Sequence, residues 1–371
     1  MVVTRVDVYD SVVIGAGQAG LSASYHLDRL GIRHVVLDAE PRPGGAWQHR
    51  WDSLTMRDVH GVADLPDGPA PGRSTDRANR AVPHWFGTYE TQHGLPVLRP
   101  VRVRTVTAGG DLLEVRSDAG TWLTRTLVNA TGTWTRPFVP HYPGAETFGG
   151  EQLHTHDYPG PGHFRGRRVL VVGGGASAVQ FLGELGPITD TLWVTRREPV
   201  WRDDFDENSG REAVAQVLDR VTAGLPPASV VSVTGLALRP QEQAAAQLGV
   251  YDRRRPMFSR IEPGGVRWDD GARGPGQPAF EPVDSILWAT GFRPAVTHLA
   301  PLHLRSEHGG IPLLPGTADV QTAVTAARDP RVQLVGYGPS ASTIGGNRAG
   351  RAAALAVRRQ VTRETVRPAG R

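Results

Sequence analysis

The chain carries one hydrophobic rhythm twice. Residues 12–14 are apolar at every position, the glycine-broken stretch "GAGQAG" follows, apolar residues then recur three to four apart, and a second apolar run fills His34–Leu37. A run that is apolar throughout suits a strand buried on both faces of a parallel sheet, and the three-to-four spacing gives a helix one buried stripe. The same order returns at residues 169–172, "GGGASA", another helical pattern, and 192–195. Strand, crossover helix and strand, repeated, predict an α/β chain. At 371 residues there is room for two ordinary domains. No apolar run approaches ~18 residues and no charged-then-apolar leader opens the chain, so a soluble cytoplasmic protein with no membrane contact is expected.

The break after each first strand carries the chemistry. Gly15, Gly17 and Gly20 form G-x-G-x-x-G where the helical pattern opens. Three glycines there serve a tight turn, close backbone approach to a pyrophosphate, and close helix–strand packing, while the helix amides bind phosphate. Asp38, ending the second apolar run, is placed to accept from a ribose hydroxyl. In the second copy Gly173, Gly174 and Gly175 make the turn, Ala178 takes the third-glycine position, and the following strand ends in Thr195, Arg196 and Arg197. Guanidinium groups replacing the acid suit a 2′-phosphate, through bidentate charged hydrogen bonds. The bland alternative is a solvated arginine pair. An acid-ended site and an arginine-ended site predict FAD and NADPH, with electrons passing between them.

Composition narrows the chemistry. The sequence contains no cysteine, which removes disulfides, thiolate metal sites, cysteine nucleophiles and redox dithiols. All 41 basic residues are arginine, so Schiff-base lysines and a P-loop lysine are absent too. A net charge of +4 without a dense basic run interleaved with aromatics speaks against nucleic acid. His154, His156 and Asp157 lie close in sequence, but no Glu or Cys cluster completes a metal site, so none is expected.

Further segments stand in a telling order: "PGGAWQHRWDSL", "LVNATG", "FGGEQLHTHDYPG", "ILWATGFRP" and "LVGYGPSASTIGGNRAGR". Together they resemble, over nearly the whole chain, the class B flavin monooxygenases, which comprise flavin-containing monooxygenases, N-hydroxylases and Baeyer–Villiger enzymes. The compact bacterial members, including those of arsenic-resistance operons, are the most similar in style. The resemblance implies two Rossmann-like, three-layer domains, the NADPH domain inserted into the FAD domain. FAD-binding chain would occupy 1–160 and 284–371, and NADPH-binding chain 161–283. It makes Phe148, Gly150, His154, Tyr158 and Pro159 a linker fingerprint in which His154 is a packed hinge residue. It also assigns Gln18, Gly45, Val103, Thr131, Gly132, Ser177, Thr290 and Gly291 to cofactor contacts. Trp47 and Trp51 would flank the flavin ring, core packing being the alternative. Thr343 and Ile344 would open a terminal helix whose positive end faces the flavin pyrimidine ring.

The activity so implied is monooxygenation of a small molecule by a flavin C4a-(hydro)peroxide formed with NADPH and O2. Tyr158 stands where Baeyer–Villiger enzymes carry Trp, which favours attack at nitrogen or sulfur. Arg57 replaces an Asn of the animal-type family. It is the candidate catalytic residue, stabilising a peroxyanion or holding an anionic substrate, unless it turns to solvent and pairs with Asp58. The competing functions are an NADPH-dependent reductase or oxidase serving a ferredoxin, a quinone or O2, and a non-catalytic flavoprotein sensor. A homodimer is compatible with either. Residues 201–279 fit the family least, as a substrate-facing insertion or as a solvated loop with an apolar anchor at Met257 and Phe258.

Overall fold

The computed structural model describes residues 7–59, 61–201, 207–227, 235–236, 238–272, 276–316 and 322–366. The first predicted unit is built as expected. Strand β1 (Val8–Ile14) leads into helix α1 (Gln18–Arg29) and strand β2 (His34–Leu37). β1 pairs in parallel with β2 on one side, Val12 opposite Val35. The chain continues through α2 (Ala78–Gln92), β3 (Val97–Leu98), β4 (Val103–Gly109), β5 (Leu112–Ser117) and β6 (Gly120–Asn129). The sheet order is β3-β2-β1-β6-β5-β4, and β15 (Val332–Leu334) adds to β6 in parallel. β1 starts four residues before its apolar run because its first half also pairs with β6.

The second sheet has the order β10-β9-β8-β14-β7. Its members are β7 (Glu151–His154), β8 (Arg168–Val172), β9 (Asp190–Val194), β10 (Arg254–Arg255) and β14 (Ser285–Trp288), all parallel. α3 (Ala176–Leu185) crosses from β8 to β9, as the repeated rhythm requires. β7 and β14 lie outside residues 161–283, so this sheet draws its last two strands from both flanks of the inserted stretch. Leu153 pairs with Leu287, and His154 with Trp288.

The described residues between 201 and 279 do not form a solvated loop. They carry α4 (Glu207–Thr222), α5 (Pro240–Gln247), β10, β11 (Arg260–Glu262) and β12 (Gly265–Arg267), and β13 (Phe280–Pro282) completes an antiparallel three-stranded sheet with the last two. Phe258 anchors this part, buried with Trp268 and Trp288, and Met257 packs alongside.

The terminal helix α6 (Thr343–Val366) lies along α1. A Cβ at Gly350 would fall 2.4 Å from the Ser22 hydroxyl, so the two backbones touch where side chains would hold them apart. That contact sets the start of α6 near the first glycine turn, where Gly346 meets Ala19. One apolar cluster spans both units, from Val13 and Val128 through Trp51, Tyr158 and Phe164 to Val169 and Phe181. Among the described residues no helix is long and apolar enough to cross a membrane.

Candidate active site

In each sheet the strand order reverses beside the glycine turn, between β1 and β6 and between β8 and β14. Such switch points open a crevice at the carboxyl ends of the strands. Gly15 has φ +98°, and a Cβ on it would lie 2.7 Å from the Ala130 carbonyl oxygen. Gly173 has φ +142°, with the Ala289 oxygen 2.2 Å from the same position. Each turn thus rests on the alanine of an A-T-G segment that ends the neighbouring strand. Gly20 is closed in by the Gly15 carbonyl, whereas a Cβ at Gly17 or Gly175 would meet nothing within 4 Å. Open space faces those two residues, and α1 and α3 begin there with no side-chain cap and no acid in the first turn. Their first amides remain available to an anion, so both cradles fit a dinucleotide pyrophosphate. Ser177 is half-buried in the first turn of α3, and Ala178 is fully buried beneath it.

The strand ends differ as the sequence indicates. Asp38 is buried; its carboxylate takes a bond from Arg99 Nε at 3.2 Å and another from the Ala16 amide of the turn. Burial raises its pKa, and Arg99 opposes the rise. Arg99 also forks onto both oxygens of Glu90, at 2.6 and 2.8 Å. The Val101 amide donates to the Asp38 carbonyl at 2.7 Å, and Val103 opens β4 two residues later. In the second unit Arg196 and Arg197 are exposed, with no ion pair to a described residue. Arg254, which the sequence did not single out, joins them: β10 beside β9 brings its guanidinium to the Thr195 hydroxyl at 3.0 Å.

Gln18 and Asn347 both donate to the Asp64 carbonyl and each leaves its amide oxygen buried without a partner, two acceptors beside the first turn. Gly45 adopts φ +49° against Gly17, and Trp47 is partly buried just beyond it. Thr343 and Ile344 open α6, but their side chains lie outside the described residues. Arg57 is 57% exposed with Asp58 Oδ1 3.6 Å away, the solvent-facing arrangement rather than a buried catalytic one.

The fingerprint ties the two units together. His154 is buried; one ring nitrogen bonds the Gly291 carbonyl at 3.0 Å and the other accepts the His156 amide at 3.1 Å. Both nitrogens are committed, and among the described residues no group of three acids or histidines gathers as a metal site. Thr131 bonds the Ala295 carbonyl at 2.7 Å, Ala295 returns a bond to Gly132, and Thr290 bonds the Phe138 carbonyl. Gly150 sits under the Phe148 ring, and Pro159 is exposed beside buried Tyr158.

Trp51 packs edge-on against Tyr158 and tilted on Phe181, its indole N–H bonded to Glu184 at 2.9 Å. It occupies the core-packing position left open by the sequence. Glu184, on α3, also accepts from the Ser53 and Tyr158 hydroxyls at 2.9 Å each. Its carboxyl stands above its ordinary range, because burial outweighs those three donors and Asp58 adds repulsion. The folded protein therefore holds a proton there more readily than the unfolded chain, and stability is lost as pH rises through the raised value. Glu184→Gln abolishes that titration, so its melting temperature should gain on the parent's over the range of pH rising from the ordinary Glu value of about 4. A difference that stays constant across that range would contradict the assignment.

A family model described as pyridine nucleotide-disulphide oxidoreductase matches residues 12–220. The flavin-containing monooxygenase from Stenotrophomonas maltophilia is 36% identical, with a TM-score of 0.78 over 96% of this chain and 99% of that one. The uncharacterized oxidoreductase CzcO of Bacillus subtilis is 25% identical over 77% of this chain and 82% of its own length. A Baeyer–Villiger monooxygenase of Streptomyces coelicolor is 30% identical over 51% of this chain and 38% of its own.

Proposed function

The chain belongs to the flavin monooxygenases of the pyridine nucleotide-disulphide oxidoreductase family, and from that membership we propose an FAD- and NADPH-dependent enzyme that oxygenates a small molecule at nitrogen or sulfur. The observation that carries the reading is the pair of uncapped glycine cradles in two different sheets, one tied to an acid and one to arginines. FAD would be held by Gly15, Gly17, Gly20 and Asp38, with Gln18, Gly45, Trp47, Val103, Thr131 and Gly132 around it. NADPH would be held by Gly173, Gly175, Ser177, Ala178, Arg196 and Arg197, with Thr290 and Gly291 at its cleft. Residues 1–160 and 284–371 form the flavin unit and 161–283 the NADPH unit, with β7 and β14 completing the second sheet. A cytoplasmic location suits an enzyme that draws on reduced pyridine nucleotide.

When bound, the two cofactors supply hydride transfer and oxygen activation. The polypeptide's own work is placement and dryness. The helix ends of α1 and α3 fix the phosphates, the A-T-G alanines hold the turns rigid, and the cluster around Trp51 and Tyr158 keeps water out of the joint between units. Nitrogen or sulfur is favoured because Tyr158 stands in place of Trp; the Streptomyces coelicolor relative keeps Baeyer–Villiger oxidation as the second reading.

The test is turnover by the purified yellow protein with a thioether, a tertiary amine and a cyclic ketone. Sulfoxide or N-oxide should form with one NADPH and one O2 consumed for each product. Quantitative hydrogen peroxide with all three would favour the oxidase alternative instead. Arg196→Ala should raise the KM for NADPH roughly 10–100-fold with little change in kcat, because a charged contact to the 2′-phosphate is equally present in ground and transition states. Its KM for NADH should not move. An unaltered NADPH-over-NADH preference would remove Arg196 from the site.

A further inference from the structure

Among the described residues Arg50 is a cation without a counter-charge. It ends the short 3-10 turn Gly45–His49, its carbonyl is fixed by Asn79 at 2.8 Å, and its guanidinium lies between two indoles. The Cζ atom is 4.6 Å from the Trp134 ring centre and 5.6 Å from that of Trp47. Its Nε is buried with no hydrogen-bond partner, and it makes no ion pair with a described residue. Trp134 Nε1 is likewise buried and unpartnered, so two N–H donors without acceptors sit in one stacked group. Burial alone lowers the Arg50 pKa to about 10, with no carboxylate acting in the other direction. Ring faces stabilise a guanidinium only modestly, and a buried donor left unmade is costly.

The position gives this cation its meaning. Trp134 follows the A-T-G segment of the first unit and stacks at 5.0 Å on Phe292, which follows the A-T-G segment of the second. Arg50 therefore stands over Trp134, where the segments that leave the two switch points meet. Arg57, the sequence-level candidate for holding an anion, is exposed and already faces Asp58.

We propose that Arg50, with the Trp134 indole N–H, forms an anion subsite where the two segments meet, taking a pair of anionic oxygens from a carboxylate or a phosphate. Resting on the monooxygenase reading, this subsite has two sources of ligand: the carboxylate of an acidic substrate, or a phosphate of the pyridine nucleotide reaching across the joint. A planar guanidinium matches either group with two parallel bonds, which an ammonium cannot do.

The experiment titrates the FAD-loaded protein, Arg50→Ala and Arg50→Lys with benzoate, inorganic pyrophosphate and NADP+. The readouts are the flavin absorption band and the melting temperature, with the FAD-to-protein ratio measured first. At least one anion should bind the parent saturably, and Arg50→Ala should weaken it about tenfold or more, with Arg50→Lys between the two and FAD content unchanged. Loss confined to benzoate assigns the subsite to a substrate carboxylate. Loss confined to pyrophosphate and NADP+ assigns it to the nucleotide. Equal affinities in all three proteins, no anion binding by the parent, or loss of FAD from Arg50→Lys would each overturn the proposal, the last by giving Arg50 to the flavin's own phosphates. A parent protein that consumes no NADPH would sink the monooxygenase reading, whereas the melting-temperature arm would still decide the subsite.

Discussion

Gly15→Ala should purify colourless, and Gly173→Ala should purify yellow yet fail to be reduced by NADPH. Both substitutions add one carbon to a residue at positive φ, where an L side chain is strained, and both drive it into a neighbouring alanine carbonyl. The clash at Gly15 pushes the first turn off Ala130 and spoils the approach of a pyrophosphate to α1. The clash at Gly173 is shorter still, against Ala289, but lies in the other sheet. Flavin content and NADPH reduction therefore separate. The measurements are the ratio of flavin to protein absorbance and the rate of bleaching under nitrogen. A fully loaded Gly15→Ala protein, or a colourless Gly173→Ala protein, would reverse the assignment of the two sites.

Arg99→Ala should cost about 3–5 kcal/mol in urea unfolding, the range for removing one member of a buried ionic group. The Arg99, Glu90 and Asp38 side chains are 13%, 10% and 7% exposed, so two carboxylates would be stranded away from water. Burial opposes the charge on Arg99, yet its bonds to Glu90 and then Asp38 carry its pKa above the ordinary value, a sign that the three act as a unit. Arg99→Lys should recover only part of the loss, because an ammonium cannot fork onto Glu90 and reach Asp38 as well. A cost below about 1 kcal/mol, typical of an exposed pair, would show the triad to be solvated. Flavin affinity should fall along with stability, since Asp38 is bonded to the Ala16 amide inside the turn.

What the sequence makes legible follows from distance along the chain. Glycine turns, apolar runs and the residues ending them are local, so both dinucleotide cradles and all four of their strands were legible. The A-T-G segments could be seen but not understood: only the pairing of β6 with β1 and β14 with β8 shows that their alanines brace the turns. The partners that matter most lie far apart in sequence. Asp38 and Arg99 are separated by 61 positions, Thr195 and Arg254 by 59, and Trp51 and Glu184 by 133. Periodicity carries no trace of such meetings. Residues 201–279 were opaque for another reason, since strands of two or three residues, such as β10 to β12, are too short to display a period.

The outgoing and returning chains between the units are fastened to each other. Pro137 pairs with Phe292 in antiparallel fashion, the Phe138 amide bonds the Gly291 carbonyl at 3.0 Å, and the Arg293 amide bonds Arg136 at 2.8 Å. Everything between is in effect a graft on a single stem. Once that graft has folded and its stem has closed, β15 reaches β6 across a shorter loop than one holding the entire second unit. Because the entropy of closing a loop rises with its length, the order of assembly favours the inner piece first. The outer sheet then receives its last strand at a lower cost, by about 0.6 kcal/mol for each halving of the loop, and a late segment of the chain completes a unit begun near its first strand.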